Sequence, residues 1–410
     1  MKNASDDLSD LQARAGHGSP AEVFRVFLKL GLSSFGGPIA HLGYFREELV
    51  ARRQWIDEAG YADLIALCQF LPGPASSQVG FSLGVLRANG LVGGLAAWLG
   101  FTLPSALILL AFALGADQRA GPVAEGMLHG LRLVAVAVVG QAVWGMTRTL
   151  TPDRTRAAIA LAAIAVVVIV GGSLGQIAAI SLGAIAGFLL CRDEAAPPAG
   201  RLRPPVSRRG GMAALALFAA LFLIPLAVPG GGQPIALFSA FYRSGALVFG
   251  GGHVVLPLLQ AAVVAPGWAT NAAFLAGYGL AQAVPGPLFT FAAYLGAAID
   301  PAPNGVAGAS IALVAIFLPG LLLVYGMLPF WDELRGRQGA QAAMRGANAA
   351  VVGILALALY DPIWTGAVLT PLDFALAVAG FLLLTVWKAP PWLVVMLLAV
   401  AGGLTGIHRS

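Results

Sequence analysis

Gln69-Phe70-Leu71-Pro72-Gly73-Pro74 and, 213 residues later, Gln282-Ala283-Val284-Pro285-Gly286-Pro287 are the two stretches that decide the fold. Each lies in an apolar region, yet each carries a Pro-Gly-Pro that an α-helix cannot pass through: proline takes an N–H out of the ladder and its ring meets the preceding turn. Backbone broken at membrane depth persists only where protein or a solvated cavity satisfies the freed groups. Two such breaks at corresponding positions point to a built site.

The correspondence extends outward. Phe27-x-Lys29-x-Gly31-x-x-x-Phe35-Gly36-Gly37 recurs as Phe241-x-Arg243-x-Gly245-x-x-x-Phe249-Gly250-Gly251, an offset of 214, and Phe101-Thr102-Leu103-Pro104 answers Phe317-Leu318-Pro319. So constant an offset over such a length makes the chain two homologous halves. The resulting division is a polar tail over 1–20, a first repeat over 21–191, a basic linker over 192–211, a connecting apolar helix over 212–228 and a second repeat over 234–410.

Composition sets the solvent. Of 410 residues, 10% are charged and 58% hydrophobic, with a mean hydropathy of +0.83. Ala88–Ala116, Ala157–Cys191, Gly210–Tyr242 and Ser244–Ile299 contain no Asp, Glu, Lys or Arg, and each exceeds the roughly 20 residues a spanning helix needs. The runs lack two-residue alternation, which excludes a β-barrel. The net charge of +5 comes mostly from loops, a topology signal and not a nucleic-acid footprint. Cys68 and Cys191 support neither a disulfide framework nor a zinc site, and neither metal nor cofactor is expected. None of the lysines follows glycine and precedes Ser or Thr, so the chain has no Walker A loop.

Topology follows from the arginines. Arg46–Arg53, Arg148–Arg156 and the linker, with five arginines between Arg192 and Arg209, belong on the cytoplasmic side. Segments 90–116 and 122–147 supply the two crossings between the first pair. Tyr61–Arg87 therefore does not cross, and its Pro-Gly-Pro turns it into a re-entrant hairpin; the Phe35-Gly36-Gly37-Pro38 segment is read likewise. Two hairpins and four crossings per half, joined by one extra helix, place the second half upside down. The predicted fold is an all-α polytopic membrane protein of two homologous halves, inverted repeats with broken, re-entrant helices.

Two constellations carry the chemistry. Pro74 and Pro287 are expected to begin half-helices whose free N–H groups, at Ala75 to Ser77 and Leu288 to Thr290, converge near the midplane and bind an anion. Ser76, Ser77 and Thr290 add hydroxyls, Gln69 and Gln282 add amides, and Gly36, Gly37, Gly73, Gly250, Gly251 and Gly286 let the backbone turn. Lys29 and Arg243 form the second constellation, two cations at one repeat position. Each helix N-terminus acts like roughly half a positive charge, so two offset about one unit of a dianion and a fixed cation must offset the rest. His41 and His253 flank the turns and are weaker candidates for proton coupling. Arg132 and Arg345 either line the pathway or face the cytoplasm, while Asp63 and Asn348 read as helix-end or packing devices.

Phe35–Pro38, Gln69–Pro74, Phe249–His253 and Gln282–Pro287 resemble the signature segments of the chromate ion transporter family in its long two-domain form, over about residues 20–410. The resemblance implies a multi-pass transporter of a bacterial inner (plasma) membrane that exports chromate and confers chromate resistance. Sulfate is the close analogue of that substrate, so a sulfate or other anion carrier or exchanger is the alternative; an intramembrane enzyme acting on a lipid phosphate is the third reading. The chain is read as a non-enzyme whose partners are chromate, sulfate as an option, and the lipid bilayer. Oligomeric state is left open, a homodimer being one option.

Overall fold

The computed structural model describes residues 18–115, 121–191, 204–227, 232–249 and 251–409. The polar tail to residue 17, the loop holding Arg119, linker residues 192–203 and Gly250 lie outside the described residues. Every regular element among the described residues is helical.

In the first half, α1 (Pro20–Ser33) starts at Ser19, whose hydroxyl accepts the Glu22 N–H, and stops at Ser34. Gly36 and Gly37, at φ +99° and +79°, reverse the chain into α2 (Gly37–Phe45), which runs on as a π-helical turn, Arg46–Arg52. α3 (Glu58–Phe70) is capped by Asp57, whose carboxylate accepts the Gly60 N–H at 2.7 Å. After the Pro-Gly-Pro break comes α4 (Ala75–Arg87). Arg87, at the end of α4, pairs with Glu22 at 3.3 Å and stacks over Trp55 at 5.2 Å, and Arg46 pairs with Glu58 at 2.7 Å. The start of α1, the link between hairpins and the end of α4 thus share one basic face. Both hairpins enter and leave by it.

α5 (Leu91–Gly115), α6 (Pro122–Leu150), α7 (Arg154–Val170) and α8 (Gly172–Leu190) complete the half, and α9 (Arg208–Ala227) leads to the second. There, α10 (Gly232–Ala246) and α11 (Val255–Leu259) form one hairpin, α12 (Asn271–Ala281) and α13 (Phe291–Ala298) the other. α14 (Gly305–Met327), α15 (Gln338–Ala358), α16 (Pro371–Thr385) and α17 (Pro391–Arg409) follow. The Asp300 N–H donates to Trp268 O at 2.9 Å, closing the second pair of hairpins on one face as Arg87 and Trp55 close the first. By length and composition α5, α6, α8, α9, α14 and α15 suffice to cross a membrane.

The two pairs open on opposite faces. α5 starts at the basic face directly after α4, and its 25 residues span about 37 Å at 1.5 Å each, so Leu114 lies at the far face. Gly305 opens α14 directly after the second pair, and a Cβ added to it would lie 4.0 Å from the Leu114 side chain. The halves are therefore inverted.

Glycines set the helix spacing. Gly84 of α4 meets Gly93 of α5 backbone to backbone, and Gly296 of α13 meets Gly308 of α14 in the same way. The long scaffold helices exchange partners between halves: Gly126 and Gly130 of α6 pack on Gly402 of α17, Gly183 and Gly187 of α8 on Gly346 of α15. Small residues four apart let helices approach this closely in a bilayer, where apolar burial alone supplies no drive.

Two polar clasps also join the halves. Asp63, read from sequence as a helix-end or packing device, is buried inside α3 and accepts from Trp331 Nε1 at 2.9 Å and from Arg335 Nη1 at 3.0 Å. Its partners come from the short helical turn Trp331–Leu334 and Arg335 just after it, beyond the end of α14, which no local pattern reveals. His129 Nε2 lies 2.8 Å from Asp373, whose carboxylate also accepts the Thr370 N–H in a capping box. Arg345 donates to Cys191 O at 3.0 Å, closing the end of α8.

Asn89 and Asn304 occupy corresponding loops, so cysteines placed there should react with a membrane-impermeant maleimide from opposite sides of sealed vesicles; labelling from one side would contradict the inversion. Native Cys68 and Cys191 are buried and add little background. Asp63→Asn leaves Arg335 facing a neutral partner, and the thermal midpoint in detergent should fall by an amount equivalent to about 3 kcal/mol.

Candidate substrate site between the broken hairpins

Gly73 and Gly286 hold φ of +124° and +103°, a region open to glycine and strained for residues with a Cβ. That conformation aims their N–H groups at the other half. Gly73 N–H donates to Val248 O at 2.7 Å and Gly286 N–H to Ser34 O at 2.9 Å. Ser34 and Val248 stand 214 apart in the sequence, so the two bonds are one bond made twice. Pro38 and Gly252, also 214 apart, meet each other at 3.6 Å from the proline ring to an added Cβ. They mark the pseudo-twofold axis. Behind each break stands the proline-containing segment of the opposite half's spanning helix: a Cβ on Gly73 would lie 3.0 Å from Gly320 Cα, and one on Gly286 would lie 2.8 Å from Ser105 Oγ.

Around Gly286 the buried side chains are polar. His41 Nδ1 lies 3.3 Å from Ser76 Oγ, the Ser34 backbone is beside the ring, and Phe101 meets it edge-on at 5.2 Å between centroids. Ser105 Oγ donates to Thr102 O at 3.1 Å. Ser34, His41, Ser76, Ser77, Thr102 and Ser105 are all at most 2% exposed. Yet Ser34 Oγ, His41 Nε2, Ser77 Oγ and Thr102 Oγ1 have no partner among the described residues. Buried polar atoms without partners cost about 1–3 kcal/mol each, so several in one region call for a ligand or water.

The two sequence constellations do not coincide. Lys29 is exposed on α1, within electrostatic reach of Glu48, and Arg243 is half-buried with Nε donating to Ser239 O at 3.2 Å. No hydrogen bond or ion pair among the described residues joins a charged side chain to the cluster around His41. Gln69 is exposed, whereas Gln282 is half-buried with Nε2 unpartnered. Ser77 and Thr290 also differ, since Thr290 Oγ1 donates to Pro287 O at 2.6 Å. The second half-helix begins later than expected. Leu288–Thr290 is a 3₁₀ turn held by the Thr290 N–H on Pro287 O, and the α-helix starts only at Phe291. His253 has its Nδ1 2.5 Å from the Tyr278 hydroxyl. Arg132 is half-buried with Nε unpartnered, and Asn348 Oδ1 likewise has no partner.

Sequence reasoning reached His41, Ser76, Ser77 and the glycines but missed Ser34, Thr102 and Ser105. Thr102 and Ser105 flank Leu103-Pro104, so a search for hydroxyls beside the repeat's proline motifs would have found them.

Two inverted broken-helix modules, tied to each other at their breaks and enclosing unpartnered polar atoms, define a polytopic membrane protein of the transporter class. The family model described as Chromate transporter matches residues 21–188 and 235–404, and the chain belongs to that family. It is similar to the chromate transport protein of Pseudomonas aeruginosa, 29% identical over 395 residues, 94% of this chain and 91% of that one. The chromate transport protein of Cupriavidus metallidurans is 27% identical over 351 residues, 83% of this chain and 82% of the relative. The uncharacterized transporter YwrB of Bacillus subtilis is 34% identical over 120 residues, 29% of this chain and 60% of that protein. No solved structure matches the chain.

Gly73→Ala combines a left-handed φ with a 3.0 Å contact to Gly320 Cα, a strain of about 1–3 kcal/mol. Thermal unfolding in detergent should show a clear drop, against little change for Gly43→Ala, where an added Cβ meets nothing within 4 Å.

Proposed function

We propose that this chain is a secondary transporter that carries chromate out of the cytoplasm across the inner membrane and thereby confers chromate resistance. The observation that carries the reading is the reciprocal pair of bonds, Gly73 to Val248 and Gly286 to Ser34, beside buried donors without partners. An inverted repeat joined at its breaks is the architecture in which two related conformations expose one central site to opposite faces. The names of the relatives supply the substrate.

Direction rests on charge and packing. Arg46, Arg52, Arg53, Arg87 and Arg335 fall on one face, which the positive-inside rule makes cytoplasmic. On the far side α12 docks on α6, Gly279 lying against the Leu131 carbonyl. Its counterpart Ala66 on α3 is exposed, as are Ala62, Gln69, Lys29 and Ser33. Lysine and glutamine are costly in hydrocarbon, so this side of the first half is read as a watered approach from the cytoplasm. Lys29 then acts by drawing anions inward and not by contact. For a dianion leaving an inside-negative cell the field contributes about 4.6 kcal/mol at 100 mV, from about 2.3 per charge. Export needs no nucleotide.

Sulfate is the second reading, favoured by the neutral donors of the cluster, which hydrogen-bond the oxygens of either tetrahedral dianion. In everted vesicles, labelled chromate uptake should be saturable and should respond to membrane potential, with Lys29→Gln raising KM about tenfold, within the range of electrostatic steering. Uptake equal to that of empty vesicles would overturn the proposal, and preference for sulfate in direct competition would select the alternative.

A further inference from the structure

Inverted repeats of equal halves would surround the two breaks with equivalent side chains. Here the surroundings are unequal. The break at Gly286 is bordered by Ser34, His41, Ser76 and Ser105; at the corresponding positions beside Gly73 the chain has Val248, Val255, Phe289 and Gly320. Val248, Val255 and Phe289 are at most 1% exposed, and Phe289 packs on Phe317 at 5.7 Å between ring centroids. Phe317 itself replaces Thr102. Among the described residues the polar side chain against Gly73 is Gln78, whose amide nitrogen is occupied by Pro72 O and Gly320 O, both at 3.0 Å, and whose Oε1 has no partner. The Gly73 side is thus filled by apolar side chains and keeps an acceptor oxygen, Gln78 Oε1, without a partner, whereas the Gly286 side keeps Ser34 Oγ and His41 Nε2, groups able to donate, unpartnered at 0% and 1% exposure.

We propose that the oxyanion binds at one off-axis site, formed by Ser34, His41 and Ser76 of the first half against Gly286 of the second, and that its mirror image beside Gly73 binds nothing. This rests on the transport reading above. The chemistry suits a tetrahedral oxyanion. Ser34 Oγ–H and an Nε2–H of His41 are donors. In that tautomer Nδ1 accepts the Ser76 hydroxyl, so the Ser76 side chain fixes the ring. The Ser76 backbone N–H, in the first turn of α4 at a helix start with no side-chain cap, supplies the third donor. Neutral donors bind such an anion through hydrogen bonds strengthened by its charge. The site also explains why the two halves diverged where they did. Valine and phenylalanine in place of serine remove the hydroxyl donors on the Gly73 side and leave one substrate position per chain.

The test is equilibrium binding of radiolabelled chromate to the purified full-length protein in nanodiscs, together with vesicle uptake. Binding should saturate at one chromate per chain, and Ser34→Ala, Ser76→Ala and His41→Asn should each weaken Kd at least tenfold, whereas Phe289→Leu should stay within threefold. Where a variant folds poorly, Ser76→Cys gives an independent readout: chromate should slow its modification by a small thiol reagent, and should leave Phe289→Cys unaffected. Two chromates per chain, or unchanged Kd in the Ser76 and His41 variants with wild-type binding intact, would overturn the off-axis site while sparing the transport reading. Wild-type protein that neither binds nor moves chromate would remove that reading as well.

Discussion

The structure depends on a backbone N–H that has nowhere else to go. In the interior of a bilayer an unpaired amide costs several kcal/mol, and water is not there to relieve it. A helix broken by Pro-Gly-Pro exposes such groups at its worst point. Here each break is satisfied by the other half: Gly73 gives its hydrogen to Val248, Gly286 to Ser34. Neither half can therefore close its own backbone alone. The inversion, the axis through Pro38 and Gly252 and the placement of the polar side chains all follow from that mutual requirement.

Packing reinforces it. α6 lies on α16 and α17 of the second half, and α15 lies on α7 and α8 of the first, so the scaffold is exchanged as thoroughly as the breaks are. Glycine at Gly126, Gly130, Gly183, Gly187, Gly346 and Gly402 is what permits it, because a Cβ at any of them would strike the neighbouring backbone. The ion pair from Asp63 to Arg335 adds a third cross-half tie near the basic face. Its cost of burial is tolerable because Trp331 satisfies the carboxylate further.

Much of this architecture was legible in the sequence. Charge-free runs announced the bilayer, the constant offset announced the halves, and an even crossing count between arginine clusters forced Tyr61–Arg87 to turn back. Those features are local or periodic. What stayed hidden depends on which residues meet across hundreds of positions. Nothing near Asp63 signals Trp331, and Lys29 and Arg243, equivalent by repeat, come to unequal surroundings because α12 packs on α6 through Gly279 while its counterpart Ala66 on α3 is exposed. The cluster itself was half visible. Ser76, Ser77 and His41 sit beside the motifs, but Ser34, Thr102 and Ser105 are ordinary hydroxyls until folding buries them. The late start of α13 was invisible for a simpler reason: Thr290 spends its hydroxyl on Pro287, tightening a turn that Ser77 leaves open.

The contact between Pro38 and Gly252 has a consequence of its own. A position on a twofold axis faces its own image, so an assembly of two identical polypeptides would have to set one rigid ring against another there, or bare backbone against bare backbone. Covalent fusion lifts that identity constraint. With the two copies free to differ, a pyrrolidine can rest on a residue that has no side chain, and the axis becomes a place where the duplicates are free to part ways.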